Sequence, residues 1–163
     1  MHGIVRIAPI VPSDVPAVAC LDAPSARGEE DLRAELALPW SRVWVAHEDG
    51  HGVVAFVVFW HVVDEVHLLN LATRAARRRQ GIARVLMTAV VDYARQQGVG
   101  RVLLEVRRSN RAAVELYRAL GFWAAGTRVR YYQDGEDAIE MSLSLNRETG
   151  AVGPGTDQVP IDE

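Results

Sequence analysis

Lysine is missing from this 163-residue chain, and its 18 basic residues are all arginine. Chemistry that begins at a lysine amine is thereby excluded, the Schiff base and the phosphate-loop lysine above all. Cysteine is almost as scarce. The single Cys20 can form no internal disulfide, which fits a reducing compartment. No apolar run approaches the roughly 20 residues that span a bilayer. The opening Met1-His2-Gly3-Ile4-Val5-Arg6 lacks the charged, apolar and cleavage regions of a signal peptide. A cytoplasmic protein without a membrane partner is the expectation. A formal net charge of −3 and a pI near 6.0 argue against general nucleic-acid binding. His2, His47, His51, His61 and His67 show no metal-ligand spacing, so no metal is expected and each reads as a surface or strand histidine.

What the chain does have is apolar content, 49% of it, enough for one domain with a buried core over residues 1–146. Strands are expected at Val5–Ile10, Arg42–His47, Val53–Val63, Val66–Thr73, Arg101–Val106, Trp123–Tyr132 and Ala138–Leu145. Glu48-Asp49-Gly50-His51-Gly52 signals a hairpin between the second and third. Helices are expected after the Pro12-Ser13-Asp14 turn, over Glu29–Leu38 and Gly81–Gln97, and from a cap at Ser109 or Asn110 to Leu120. Residues 23–28 read as a loop. The segment 147–163, rich in Gly, Pro, Thr and Asp, is expected to be disordered. The sum is an α/β (α+β) domain, with about four helices flanking a mixed, mostly antiparallel sheet of six or seven strands.

One junction stands out. Arg77-Arg78-Arg79-Gln80-Gly81-Ile82-Ala83-Arg84 lies between the strand ending at Thr73 and a helix whose apolar face recurs at Ile82, Val85, Leu86, Ala89, Val90, Tyr93 and Ala94. A glycine there lets backbone approach a ligand, and the first helical turn offers unpaired N–H groups at the positive end of the dipole. With four arginines around that point, a phosphate-bearing ligand is the natural guest.

Arg78-Arg79-Gln80-Gly81-Ile82-Ala83 fits Gln/Arg-x-x-Gly-x-Gly/Ala, and it is followed in order by Leu103-Leu104-Glu105-Val106 and by Asn110-x-x-Ala113-x-x-Leu116-Tyr117-x-x-Leu120-Gly121-Phe122. On these motifs the chain resembles the GNAT family, the Gcn5-related N-acetyltransferases, over roughly residues 53–145. Asn70-Leu71-Ala72, Arg130-Tyr131-Tyr132 and Glu136-Asp137-Ala138-Ile139 resemble the subclass that acetylates the N-terminal alanine of a small-subunit ribosomal protein. The resemblance implies acetyl-CoA as donor and a protein N-terminus as acceptor. It places the general base on Glu105 and the acid that meets the departing thiolate on Tyr117. It also implies pantetheine contacts from the backbone of Leu71, Ala72 and Thr73 and from Asn110, with the pyrophosphate among Arg79, Gln80, Gly81, Ile82, Ala83 and Arg84.

The residues taken by themselves leave alternatives. Glu105, in an apolar strand where burial would raise its pKa, either serves as a base or pairs with Arg107 or Arg108. Tyr117 either donates a proton or packs in the core; Asn110 can simply cap its helix. Transfer without an acyl-enzyme is expected, since Cys20 lies outside every motif. Two rival functions remain, acetylation of a small-molecule amine by the same fold and a non-catalytic acyl-CoA-binding module.

Overall fold

The protein is described here by a computed structural model covering residues 3–21 and 28–161. The loop expected over 23–28 falls almost wholly outside the described residues, as does His2. Seven strands and four α-helices occur among those described: β1 Val5–Pro9, α1 Val15–Leu21, α2 Glu29–Leu36, β2 Ser41–Glu48, β3 Gly52–Val62, β4 Glu65–Thr73, α3 Ile82–Gln96, β5 Arg101–Arg107, α4 Arg111–Ala119, β6 Trp123–Arg128 and β7 Ala138–Ser144. Their order in the sheet is β1-β2-β3-β4-β5-β7-β6, a mostly antiparallel arrangement in which β4 and β5 run parallel.

The chain forms two compact units, Met1–His61 with Leu69–Val90, and Val62–Leu68 with Val91–Glu163. The core of the first gathers Val15, Val18 and Leu32 from the helices against Val43, Val45, Val53, Phe56 and Val58 from β2 and β3. Val53 to Phe59 are buried without a break, so the continuous apolar run marks a strand covered on both faces. In the second unit burial alternates along β5, with Val102, Leu104 and Val106 inside and Leu103, Glu105 and Arg107 on the other face. The β4–β5 ladder ends at Leu68↔Leu104, although both strands continue.

Helix α4 closes in a way that matters for its side chains. Gly121, at φ 100, lets its own N–H reach Arg118 O and the Phe122 N–H reach Tyr117 O, each at 3.0 Å. This Schellman closure brings the residue after the glycine back onto the last turn. The Phe122 ring lies 5.7 Å from that of Tyr117.

One expectation needs correction. The strand expected over Trp123–Tyr132 stops at Arg128, because Arg130 turns into the left-handed region at φ 50 and gives its N–H to Asp137 Oδ1 at 2.8 Å. The described part of the segment after Asn146 makes polar contacts that composition does not reveal. Gly153 N donates to Ser144 O at 2.8 Å and Leu145 bridges to Val152. Asp157 accepts from Ala124 N at 2.8 Å and pairs with Arg118, while Arg108 donates to Pro160 O at 3.0 Å and Ile161 is buried.

Gly121→Ala tests this closure. A Cβ there would stand 3.1 Å from Val152 Cγ1 and 3.2 Å from Leu143 Cδ1, on a left-handed backbone. The expected loss is about 2 kcal/mol, read as a melting temperature lower by roughly 4–8 °C for a chain of this size. An unchanged melting temperature would reject it.

Candidate active site

The first unit contains a turn of unusual backbone geometry. After β4 the chain makes a 3-10 turn at Ala75–Arg77, then Arg79 at φ 61 and Gly81 at φ 80, before α3 begins. A left-handed arginine is strained by about 1–2 kcal/mol, and such outliers persist where surrounding contacts fix them. Those contacts are supplied by the other arginines. Arg74 donates to His51 O at 3.2 Å and Val53 O at 2.9 Å, and Arg78 donates to Thr73 O at 3.3 Å. Arg77 Nε meets Glu48 Oε2 at 2.7 Å, and that bond holds the Glu48 carboxyl below its ordinary pKa. Arg79 and Arg84 are exposed, and neither has an ion-pair partner among the described residues. The arginine cluster thus divides into three residues that hold the turn and two that are exposed and uncommitted among the described residues.

Buried Ile82 anchors the start of α3, Ala83 is half-buried, and Gln80 and Gly81 face solvent. The N–H groups of Ile82, Ala83 and Arg84 have no intrahelical acceptor, and a Cβ on Gly81 would touch nothing within 4 Å. Leu71, Ala72 and Thr73 lie in β4 past its last pair with β5.

The second unit contributes an acid–base cluster. Glu105 projects from β5 with its side chain 13% exposed, and its Oε2 is 2.7 Å from His67 Nε2 on β4. Arg128 from β6 stands 3.7 Å from the other oxygen, Oε1. The alternative pairing with Arg107 or Arg108 does not occur, since Arg107 is held by Asp134 at 2.8 Å and Glu136 at 3.2 Å and Arg108 by backbone carbonyls. The expected direction of titration is also corrected. The His67 hydrogen bond outweighs burial and lowers the Glu105 pKa, and the same bond raises that of His67.

Arg128 has a second commitment. Its Nε donates to Glu140 Oε1 at 2.5 Å, and Glu140 stands directly opposite Glu105 in the β5–β7 ladder. Like charges so placed repel, and Arg128 lies against both. Gly126 faces Glu140 across β6–β7, leaving that carboxylate room to reach the arginine.

Tyr117 is 5% exposed on the inner face of α4, and its hydroxyl makes no hydrogen bond to a described residue. Burial pushes the phenol upward from 10.0, with a smaller contribution from Tyr132. Asn110 caps α4, its Oδ1 accepting from Ala113 N at 3.2 Å. Tyr132 lies under the Arg107 guanidinium, 4.0 Å from ring centre, with Tyr131 edge-on at 5.1 Å. His67 is the partner of Glu105 that sequence reasoning missed. The available signal was the parallel register, which sets His67 against Leu103, two residues from Glu105.

Fold and site together define a class, and the chain belongs to the GNAT family. The family described as acetyltransferase (GNAT) matches residues 15–122. Its members take their acetyl group from acetyl-CoA, whose anionic diphosphate suits the open turn at Gly81 with its free N–H groups and two unpaired arginines. The chain is an acetyl-CoA-dependent N-acetyltransferase. Among its relatives, it is 38% identical to the ribosomal protein bS18-alanine N-acetyltransferase of Escherichia coli K12 over 124 residues, covering 68% of this chain and 84% of that one. It is 36% identical to NAA10, the catalytic subunit of the N-terminal acetyltransferase A complex of Arabidopsis thaliana, over 66% of this chain and 60% of that one. The crystal structure of the ribosomal-protein-S18-alanine N-acetyltransferase from Escherichia coli superposes with a TM-score of 0.79 at 32% identity, covering 88% of this chain and 95% of that one. No described helix is long and apolar enough to cross a membrane.

The His67–Glu105 pair makes stability depend on pH. His67 binds its proton more tightly folded than unfolded, so its contribution is complete below about pH 6.5 and fades as pH rises through its elevated value. Glu105 keeps its charge to lower pH when folded, so its contribution is complete above about pH 4.5 and fades as pH falls. Urea melts should therefore show His67→Gln losing most stability near pH 5.5 and less at pH 8.5. A loss that grows with pH would reject the pairing.

Proposed function

We propose that this acetyltransferase modifies the N-terminal α-amine of a protein, with an alanine-first small-subunit ribosomal protein as acceptor. The observation that carries the chemistry is a shielded, ionised carboxylate at Glu105 within one unit with a buried phenol at Tyr117. The acceptor rests on the relatives, whose names state alanine and N-terminal acetylation.

In this reading the neutral amine attacks the thioester carbonyl, the C–N bond forms, and Glu105 receives the proton that nitrogen sheds. The tetrahedral intermediate then collapses, the C–S bond breaks, and Tyr117 meets the thiolate. A phenol that holds its proton so firmly acts chiefly as a hydrogen-bond donor to the sulfur as its charge develops. Arg79, Gln80, Gly81, Ile82, Ala83 and Arg84 receive the pyrophosphate. The backbone of Leu71, Ala72 and Thr73, with Asn110, orders the pantetheine arm. Cys20, exposed on α1, takes no part.

Steady-state kinetics on alanine-first peptides test the assignment. Glu105→Gln should lower kcat by about 10²-fold or more and Tyr117→Phe by about tenfold or more, with KM for acetyl-CoA little changed. Arg79→Ala and Arg84→Ala should instead raise KM for acetyl-CoA roughly fivefold to tenfold while sparing kcat. Full activity in the first two variants refutes the roles, and a preference for amino sugars or polyamines over peptides refutes the acceptor.

A further inference from the structure

The last strand of the sheet is covered by the far end of its own chain. β6 pairs with β7 on one side only, so its outer edge would otherwise offer unpaired N–H and C=O groups. Residues 155–161 lie along that edge. Ala124 N donates to Asp157 Oδ1 at 2.8 Å, and Ala124 O accepts from Gln158 N at 2.8 Å. The other oxygen of Asp157 pairs with Arg118 of α4. Further along, Arg108 donates to Pro160 O at 3.0 Å and to Thr127 Oγ1 at 3.3 Å, and Ile161 is buried.

The fit is steric as well as polar. A Cβ built on Gly155 would overlap the indole ring of Trp123, so only glycine can pass there. The Trp123 N–H is itself buried and has no hydrogen-bond partner among the described residues. Main-chain pairing at one residue, a carboxylate clamped through both oxygens and an apolar anchor at the end are the features of a peptide laid on a sheet edge. This peptide is tethered to its receptor by a turn. Asn146 N donates to Ala151 O at 2.9 Å and Gly150 N to Asn146 O at 2.7 Å, with Gly150 at φ 73, which sends the chain back so that Val152 bridges to Leu145. None of the contacts from Gly155 onward requires that tail and edge belong to one chain.

We propose that the outer edge of β6 is a peptide-docking edge, filled by the chain's own tail in a monomer and by the tail of a second copy in a reciprocally exchanged dimer. The inference is independent of the acetyl-transfer reading. Such an exchange uses the same two surfaces on both copies and closes at two. The turn at residues 146–150 is its hinge. A short tether holds the chain's own tail at an effective concentration of about 1 mM. The monomer therefore prevails in dilute solution, and the dimer gains as the chain concentration approaches that value or as docking within one chain is impaired.

Two full-length variants separate tail from edge. Asp157→Arg spoils the tail and leaves the edge intact, whereas Arg118→Glu spoils the edge and leaves the tail intact. A fluorescent peptide of residues 153–161 should bind Asp157→Arg in an anisotropy titration, and bind Arg118→Glu at least about tenfold more weakly. Small-angle scattering at about 1 mM chain should find each variant monomeric alone and their equimolar mixture dimeric. Only the mixture brings a natural tail to a natural edge and sets the two reversed charges together. Gly155→Leu expels the tail at Trp123 while keeping Arg118 and Asp157, so it supplies a second open edge if circular dichroism shows either charge variant to be unfolded. Its affinity for the peptide should match that of Asp157→Arg. A folded open-edge variant that binds no peptide, equal binding by Arg118→Glu, or a mixture that stays monomeric overturns the proposal.

Discussion

A carboxylate withdrawn from water must be matched in charge, and the placement of Glu105 makes that demand on four strands. It projects from β5 between inward-facing Leu104 and Val106, so strand alternation alone sends it to the opposite face. On that face β4 brings His67, β6 brings Arg128, and β7 brings a second acid, Glu140, directly across the ladder. Two acids opposed in one ladder would repel, and a single arginine divided between them relieves the repulsion. Remove any member and a partly buried charge is left without its counterpart.

The turn before α3 solves a related problem by sorting its arginines. A left-handed Arg79 would relax unless the turn were held on both sides. Arg74 and Arg78 hold it through main-chain carbonyls, and Arg77 through the shielded carboxylate of Glu48. Because these guanidiniums are already bound, the uncommitted positive charge lies at Arg79, Arg84 and the first N–H groups of α3. A sequence rich in arginine therefore overstates how much positive charge is free. The useful quantity is what remains after structural commitments are met.

Which features were legible in the sequence follows from the range of the forces that make them. Periodicity and capping act within a few residues, so β2 to β5, α3 and the Asn110 cap of α4 emerge close to their observed bounds. Gly121 could be recognised as a stop, though not as the device that brings Phe122 back onto Tyr117. Contacts between distant segments left no local trace. His67 and Glu105 are separated by 38 residues, and each looks unremarkable in its own strand. The contacts of the segment after Asn146 are of the same long-range kind, made through carbonyls and Asp157 with few apolar side chains buried. The direction of the Glu105 pKa was wrong because burial was visible in the pattern and the imidazole was not.

The choice of histidine at this point has a physical logic of its own. An arginine in its place would hold Glu105 as firmly and keep it ionised at every accessible pH. It would also lock the carboxylate into a permanent pair and lower its affinity for a proton without returning any. Imidazole supplies the same bond while remaining able to lose its charge near neutrality. The site already contains a permanent cation in Arg128, and that cation sits mainly with Glu140. The strand that carries Glu105 thus has its fixed charge one step away from the carboxylate and its titratable charge in direct contact, the arrangement expected where a carboxylate must be oriented and still accept a proton.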